Sequence, residues 1–423
     1  MSSAGPGGVI GTTKAQIYVA INDLLVYGSA ITRPTGIQRV ASGLATELMQ
    51  RYGAVSVSIS SSGMRAATVP DATQRSLAAR LAEPVLRLLS YAPRRAQESF
   101  RSVARSLLSR SARSSGGAAL TPAPGSWLVL LGAPWIAPGM ADAACELRQR
   151  GGVRLALLVH DLLPATSPRW FADAQGEAAK RDVETLIAAA DQIFAVSAEV
   201  VAELSARYGK SATLLMPADP ELGSTAEVRG AATTGAAPLA DERTILSVGT
   251  LHPRKNLVAL IRLWDAWARE AESAGAARES VPRLVLVGRR HPQDGELFAV
   301  LAAHPRAAKR VTLIHTADDE QLAELYRSSR FLVMPSLAEG WGLPVREALL
   351  AGRPSIATDA VPAATGSPFA RVVPAGDEAA LGVAIREWWE GDTPERLSVE
   401  IQRTFVARTW EDVAAELAAQ LSN

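Results

Sequence analysis

The stretch "FLVMPSLAEGWGLPVREALLAGRPSIAT" (residues 331–358) has the residue pattern of a strand, a turn, a helix and a second strand in succession. Its two short apolar runs, 331–336 and 354–358, have the length and composition of buried strands. Between them a helical pattern runs from Pro344 to Ala351. Proline suits the first position of a helix, because its missing N–H would have no acceptor within the helix. The stretch therefore predicts a βαβ unit.

The same alternation extends over most of the 423 residues and predicts an α/β fold. The predicted strands are 16–21, 55–60, 127–132, 154–160, 192–197 and 213–217 in the first half, and 244–250, 283–288, 311–316, 331–336 and 354–358 in the second. Because the chain is longer than one hydrophobic core usually supports, we expect two doubly wound domains that face a cleft.

The predicted domain boundaries follow from the segment between the two sets of strands. Residues 218–243 are small and polar and show no apolar periodicity, which is typical of a linker. We therefore expect one domain over 1–217, a second over 244–395, and a final segment, 396–423, with a helix over 405–421.

Composition excludes several classes of protein. The 44 basic residues nearly cancel the 43 acidic ones, so the charge does not predict a nucleic-acid partner. The single cysteine, Cys145, cannot form an internal disulfide, which suits a reducing, cytoplasmic compartment. Residues 1–14 lack the apolar core of a signal peptide, and prolines interrupt the uncharged run 114–141. We expect a soluble or peripheral protein.

The segment 65–113 departs from the alternation. It has ten arginines against three acidic residues, a formal charge of +7, and its leucines and valines recur at helical spacing. One interpretation is a basic amphipathic helix pair on the inner face of the cytoplasmic membrane. The other is a helical insertion that packs on the first domain. Both stay open.

Two glutamates, Glu339 and Glu347, flank the turn Gly-Trp-Gly-Leu-Pro before the predicted helix. Carboxylates accept hydrogen bonds from vicinal diols, and the first amides of the helix favour a phosphate or sugar oxygen. Gly340 and Gly342 allow the backbone to approach a ligand closely. The alternative is a helix capped by Glu339, with Glu347 exposed to solvent.

A second candidate is the basic pair Arg254 and Lys255, which follows the predicted strand 244–250. Two cations next to a helix start can bind a diphosphate. In isolation the pair also fits an exposed position before a surface helix.

A third candidate, His160, ends the strand 154–160 and is followed by Asp161. A lone histidine there is more often structural.

Together these motifs resemble those of the family-4 retaining glycosyltransferases, which have the GT-B fold. "EGWGLPVRE" (339–347) resembles the E-x7-E signature, and "VGTLHPRKNL" (248–257) resembles the donor-phosphate loop. "LLVHDLLP" (157–164) resembles the strand end that carries the active-site histidine. "RPTGIQRV" (33–40) resembles the first loop and helix of bacterial surface-polysaccharide members, often mannosyl- or rhamnosyltransferases.

The resemblance implies a hexosyltransferase that needs no metal or other cofactor, because Lys255 neutralises the departing nucleoside diphosphate. It implies that His160 and Glu339 contact the donor sugar, that Glu347 binds the ribose and that the final helix crosses back onto the first domain. The implied catalytic residues are His160, Glu339 and Lys255. The implied donor-binding residues are Arg254, Lys255, Gly249, Thr250, Gly340, Trp341, Gly342, Leu343 and Glu347. Gly36, Arg39 and Asp161 belong to the acceptor or phosphate side.

The implied partners are a nucleotide sugar and a saccharide or lipid-linked acceptor, and we expect a GDP-activated mannose or rhamnose as donor. The chain departs from the family at Thr250, where an arginine is usual, so the second phosphate contact stays open. Two other functions remain: a GT-B sugar-nucleotide epimerase or phosphorylase, and a non-catalytic scaffold of a polysaccharide assembly complex. The chain lacks the Asp-x-Asp, P-loop and dinucleotide-binding motifs.

Overall fold

The computed structural model describes residues 15–30, 35–69, 117–171, 173–220, 241–277 and 280–422. Most of the basic segment 65–113 and of the predicted linker 218–243 lies outside these residues. The predictions for both segments therefore stay predictions.

The described strands fall into two sheets, and every run that was predicted as a strand contains one. The first sheet contains β1 Ile17–Ala20, β2 Val55–Ser60, β3 Gly63–Ala66, β4 Ala119–Leu120, β5 Trp127–Leu130, β6 Arg154–Val159, β7 Gln192–Ala195 and β8 Thr213–Leu214. The second contains β9 Thr244–Val248, β10 Arg283–Val287, β11 Val311–Ile314, β12 Phe331–Met334, β13 Ser355–Thr358 and β14 Ala370–Val373. The predicted α/β fold is confirmed.

Helices connect the strands. The described α-helices are α1 Asn22–Ala30, α2 Gly36–Tyr52, α3 Met140–Gly151, α4 Leu163–Thr166, α5 Asp173–Ala189, α6 Ala198–Tyr208, α7 Leu257–Ser273, α8 Gly295–Ala303, α9 Pro305–Ala308, α10 Asp319–Ser328, α11 Leu343–Leu350, α12 Glu378–Glu390, α13 Thr393–Thr404 and α14 Trp410–Ser422. The predicted helix over 344–351 is α11.

The eight-stranded sheet has the order β4-β3-β2-β1-β5-β6-β7-β8. β1 pairs in parallel with β2 and β5, whereas β3 runs antiparallel to β2 and β4. Side chains at the start of α1 join the ends of these strands. The amide of Asn22 exchanges two hydrogen bonds, of 2.8 and 2.9 Å, with the backbone of Ile59, and Asp23 accepts one of 2.9 Å from the Ala133 N–H.

The six-stranded sheet has the order β11-β10-β9-β12-β13-β14, and its strands are parallel. Numbered along the chain, this order is 3-2-1-4-5-6, that of a doubly wound sheet. The chain adds β10 and β11 on one side of β9, then crosses over and adds β12, β13 and β14 on the other side. The ends of β9 and β12 therefore form the switch point, where such sheets bind ligands.

The central strands β9, β10, β12 and β13 are buried along nearly their whole length, which explains why they are mostly apolar. Alternate strand residues such as Ile245, Phe331 and Ile356 belong to one apolar cluster, into which α7 and α12 pack. Their neighbours, such as Leu246 and Leu332, belong to a second cluster, into which α10 and α11 pack. α10 and α11 thus share one face of the sheet.

The chain divides into two compact units. The first comprises Met1–Leu158, Arg181–Phe194 and Glu411–Asn423, and the second comprises Val159–Lys180 and Ala195–Trp410. Within the first unit, the Trp127 indole N–H donates to the Leu421 carbonyl of α14 at 2.6 Å. The domain boundaries that were drawn from the sequence remain predictions.

The last helix begins later than predicted, at Trp410 instead of residue 405. Residues 405–409 are not helical, because Arg408 pairs its backbone with Asp219. The Arg408 N–H donates to Asp219 Oδ2 at 2.8 Å, and the Arg408 carbonyl accepts from the Asp219 N–H at 2.9 Å. A tertiary contact therefore replaces the first turn of the predicted helix.

No helix among the described residues has both the length and the apolar character that crossing a bilayer requires.

Candidate functional site

The candidate site lies in the second unit, at the carboxyl ends of β9 and β12. The loop after β9 contains Gly249 to Lys255, and the loop after β12 contains Ser336 to Glu339. Because β9 and β12 are paired neighbours, side chains from the two loops meet. The fold thus joins two motifs that lie more than 80 residues apart in the sequence.

In the loop after β9, the backbone of Gly249 packs closely against the Lys255 side chain. A Cβ on Gly249 would lie 3.0 Å from Lys255 Cε, and Gly249 has a φ of +151°. A short 3₁₀ turn, Pro253–Lys255, follows, and Asn256 at a φ of 51° leads into α7. Lys255 is consequently buried, with 8% of its surface exposed.

Arg254, Lys255 and Glu339 form an ion triad. The Lys255 ammonium donates to Glu339 Oε1, and Arg254 Nη1 lies 2.5 Å from Glu339 Oε2. Arg254 also holds the loop after β12, since its Nη1 donates to the Ala338 carbonyl at 2.9 Å and its own carbonyl accepts from the Leu337 N–H at 2.7 Å. One carboxylate therefore aligns both cations.

Burial and charge act in opposite directions on this triad. Burial raises the pKa of Glu339, but the charges of Arg254 and Lys255 outweigh it and lower that pKa to about 2. Burial lowers the pKa of Lys255, although the Glu339 carboxylate opposes this effect. Glu339 is therefore ionised at neutral pH. The triad sets two basic side chains beside one carboxylate, a combination that suits an anionic ligand.

His252 caps the start of the 3₁₀ turn Pro253–Lys255. Its Nδ1 accepts from the Arg254 N–H at 3.1 Å, so its Nε2 is the protonated nitrogen and donates to the Trp170 carbonyl at 3.1 Å. Burial, with the neighbouring His291 and Arg254, lowers the pKa of His252 to about 4. The imidazole is therefore neutral and links the turn to residues 168–170 of the same unit.

His160 and Asp161 lie against the loop after β12. A Cβ on Gly340 would lie 1.8 Å from the His160 carbonyl oxygen and 3.1 Å from Asp161 Cβ. Any side chain at position 340 would therefore separate the two segments. Asp161 Oδ1 accepts from the Leu163 N–H at 3.1 Å, and burial raises the Asp161 pKa, while the charge of Arg254 opposes it.

The helix after Glu339, α11, begins at a backbone turn that only glycine adopts easily. Gly342 has a φ of +109°, and a Cβ there would lie 2.5 Å from Val361 Cγ1. Leu343 is buried, and Trp341 is half-buried against the apolar cluster beneath the helix. In the part of the chain that the structure describes, the buried indole nitrogen of Trp341 has no hydrogen-bond partner.

Glu347, the second acidic residue of the motif, is buried at 2% exposure. Its Oε2 accepts a hydrogen bond of 2.5 Å from the hydroxyl of Tyr326 on α10. The negative charge of Glu347 also raises the pKa of Lys255, so the two side chains act on each other electrostatically. The alternative that Glu347 is exposed to solvent is wrong, because α11 turns this residue toward the apolar cluster.

A small cavity of about 10 Å³ lies beside Lys255, with room for roughly one water. Gly249 and Ser336 line it from the ends of the two central strands. The Ser336 side chain is fully buried, and within the described chain its hydroxyl has no hydrogen-bond partner. A water or a ligand oxygen would supply that partner.

The structure thus brings together Arg254, Lys255, Gly249 and Glu339, and it places His160 and Asp161 against Gly340. Thr250 lies in the same loop, where its carbonyl accepts from the His252 N–H at 2.6 Å. Gly36 and Arg39 lie on α2, in the first unit. Their role, and the roles of the other predicted site residues, stay predictions.

Two residues of the site carried no signal in the sequence. Tyr326 and Ser336 lie in apolar patterns that predict core residues. Only the shared face of α10 and α11 reveals Tyr326 as a partner of Glu347. Only the pairing of β9 with β12 places Ser336 beside Lys255.

Comparison with known proteins places this site within a family domain. The family model "Glycosyl transferases group 1" matches residues 242–390. The serotype-specific mannosyltransferase WbdA of Escherichia coli is 28% identical over 226 residues, which are 49% of this chain and 26% of WbdA. The O-antigen chain mannosyltransferase B of Escherichia coli is 32% identical over 114 residues, 27% of this chain and 28% of that protein. The chain thus spans about a quarter of the length of these curated relatives.

Solved structures are similar over longer ranges at low sequence identity. HepE of Anabaena, solved in complex with UDP and glucose, covers 97% of this chain and 100% of its own, with a TM-score of 0.56 and 13% identity. Sucrose-phosphate synthase of Thermosynechococcus elongatus covers 70% of this chain and 72% of its own, with a TM-score of 0.51 and 21% identity. The chain therefore has the α/β fold of the GT-B glycosyltransferases and carries, over residues 242–390, a glycosyl transferases group 1 domain.

Proposed function

We propose that the chain is a retaining hexosyltransferase of family 4. It transfers mannose or rhamnose from a GDP-sugar to a growing bacterial surface polysaccharide or a lipid-linked oligosaccharide. The observation that carries the proposal is the ion triad of Arg254, Lys255 and Glu339 at the switch point of the second sheet. The similarity to WbdA supports mannose as the transferred sugar.

Each residue of the donor site has a proposed role. Arg254 and Lys255 bind the diphosphate and stabilise the charge that develops when it departs. Glu339 aligns both cations and accepts hydrogen bonds from the sugar hydroxyls, while Glu347 binds the ribose diol. Further contacts come from the backbone of 249–250 and of 340–343.

The reaction transfers the sugar with its anomeric configuration retained. The bond between the anomeric carbon and the phosphate oxygen breaks, and a bond to the acceptor oxygen forms on the same face. The departing phosphate takes the proton of the acceptor hydroxyl, so no further co-reactant is needed. His160 supports the positive charge at the anomeric carbon, and Gly36, Arg39 and Asp161 belong to the acceptor or phosphate side.

We also propose that the protein works in the cytoplasm, on the inner face of the membrane, where lipid-linked acceptors are available. The charge of +7 on 65–113 supports contact with anionic headgroups. A vesicle-binding assay tests this part of the proposal. The purified chain should bind anionic vesicles and should not bind neutral ones.

The central experiment incubates the purified chain with a panel of GDP- and UDP-sugars and a saccharide acceptor. We expect a free nucleoside diphosphate and an acceptor larger by one hexose, both identified by mass spectrometry. Glu339→Gln should abolish product formation, whereas the control Glu400→Gln, at an exposed position, should not.

The rival functions predict different results in the same assay. An epimerase changes the sugar without lengthening the acceptor, and a phosphorylase releases a sugar phosphate. A scaffold leaves the nucleotide sugars intact. Any of these results, or equal turnover by Glu339→Gln and the unmodified chain, would contradict the proposed function.

A further inference from the structure

Glu347 has a buried hydrogen-bond partner, Tyr326, that belongs to none of the sequence motifs described above. The phenolic hydroxyl of Tyr326 donates to Glu347 Oε2 at 2.5 Å, and the side chains are buried at 0% and 2% exposure. A carboxylate at this depth is costly without hydrogen bonds. Tyr326 supplies one of them from a position that solvent does not reach.

The two helices that carry this pair are held at fixed positions on the sheet. α10 begins with a capping box, in which Asp318 accepts from the Gln321 N–H at 2.7 Å and Gln321 accepts from the Asp318 N–H at 3.0 Å. Leu325 of α10 and Val345 of α11 pack in the same apolar cluster as Tyr326. The phenol is therefore a rigid donor, and it restricts the orientation of the carboxylate.

We propose that Tyr326 is a positioning residue that aims the Glu347 carboxylate at the ribose diol of the nucleotide. The inference rests on the proposed function, in which Glu347 binds the ribose. A carboxylate oxygen accepts two hydrogen bonds, so Oε2 can accept from Tyr326 and from a ribose hydroxyl together. To bind both hydroxyls of a diol, the carboxylate plane must face them, and the hydrogen bond from Tyr326 fixes the orientation of that plane.

The test compares nucleotides with and without the 2′-hydroxyl. Dissociation constants for GDP, 2′-deoxy-GDP, UDP and 2′-deoxy-UDP are measured by calorimetry on the full chain and on Tyr326→Phe, which removes only the hydroxyl. The unmodified chain should bind the ribonucleotide of the preferred base roughly tenfold more tightly than its deoxy form. In Tyr326→Phe this ratio should fall close to one, because the ribonucleotide loses more affinity than the deoxynucleotide, which keeps only one hydroxyl of the diol.

Two further variants define the effect. Tyr18→Phe, on a partly exposed tyrosine of the first unit, should leave both affinities unchanged. In a Glu347→Gln background, Tyr326→Phe should have no additional effect on the ratio, because Tyr326 acts through the carboxylate. Thermal unfolding of each variant establishes that it is folded.

The possible results separate the inference from the function on which it rests. If Tyr326→Phe keeps the roughly tenfold preference for the ribonucleotide, or loses affinity equally for both nucleotides, the positioning role is overturned and the ribose assignment stays intact. A ratio of one in the unmodified chain would overturn the ribose role of Glu347 itself. If Tyr326→Phe does not fold, 3-fluorotyrosine at position 326 serves instead. Its ¹⁹F resonance should shift more with the ribonucleotide than with the deoxynucleotide, and equal shifts would contradict the inference.

Discussion

At the scale of single residues, the site depends on charges that the fold has taken out of water. Lys255 is 8% exposed, and Glu339 is its ion-pair partner. Removing one member of a buried pair leaves the other uncompensated, which costs more than the loss of a surface ion pair. These residues should therefore affect both stability and turnover.

Replacing Lys255 tests the charge at the phosphate position. Lys255→Ala should lower kcat by roughly 100- to 1000-fold, the effect of removing one group that stabilises charge in a transition state. Steady-state kinetics with the preferred nucleotide sugar measures this loss. The exposed Lys309→Ala is the matched control and should retain full turnover. A Lys255→Ala variant that is folded and nearly as active as the unmodified chain would remove Lys255 from the mechanism.

The pKa of Glu339 predicts a pH dependence of stability. Its value of about 2 in the folded chain lies below the ordinary 4.5, so Glu339 contributes stability above pH 4.5, and this contribution is lost as the pH falls toward 2. Urea unfolding of the unmodified chain and of Glu339→Gln should show a stability difference that is largest above pH 4.5 and shrinks in acid. A difference that stays constant between pH 6 and pH 3 would show that the ion triad does not exist in solution.

At the scale of elements, the short helix α11 is held from outside its own sequence. Its Arg346 forms a bidentate pair with Asp219, at 2.5 and 2.7 Å, and lies over the Phe405 ring at 4.8 Å. Asp219 also accepts from the Arg408 N–H. A single carboxylate thus ties α11 to two remote segments of the chain, and the Asp219 side chain is only 1% exposed.

Breaking this pair should destabilise the fold. Arg346→Met keeps the length of the side chain and leaves the Asp219 carboxylate buried without its arginine, at a cost of about 3 kcal/mol. Chemical denaturation measures the change in the free energy of unfolding. Arg396→Met, which breaks an exposed pair with Asp392, should cost less than about 0.5 kcal/mol. Equal costs for the two variants would mean that the Asp219 contact does not hold α11.

At the scale of the whole molecule, the chain itself supplies two basic side chains to the proposed donor site. Arg254 and Lys255 lie side by side where the proposed diphosphate departs. A metal-dependent transferase would supply that charge with a divalent cation. Overall composition does not reveal this arrangement, because basic and acidic residues nearly cancel.

Removal of metal ions should therefore leave turnover unchanged. The assay is run with the preferred nucleotide sugar after dialysis against EDTA and again with added Mg²⁺ or Mn²⁺. A metal-dependent glycosyltransferase assayed in parallel shows that chelation is complete. Loss of activity that added Mg²⁺ restores would contradict the proposed role of the two basic side chains.

The α/β alternation, the two sets of strands and the motif residues were all predictable from the sequence, because apolar periodicity and glycine or proline positions are local properties. The predictions were weaker where distant contacts decide the structure. The helix expected from residue 405 begins at Trp410, since Asp219, almost 190 residues earlier, forms hydrogen bonds with the backbone of Arg408. The three strands β3, β4 and β14 were not predicted, because they are only two to four residues long.

The sequence by itself determined the parallel α/β architecture of the second unit and its pair of charged motifs, because each depends on residues close together in the chain. Only the tertiary structure decided which charges meet. The order 3-2-1-4-5-6 makes β9 and β12 neighbours, so Lys255 pairs with Glu339, and α10 and α11 cover one face, so Tyr326 reaches Glu347. Sheet order and helix packing arise from contacts between distant residues, and no local pattern encodes them.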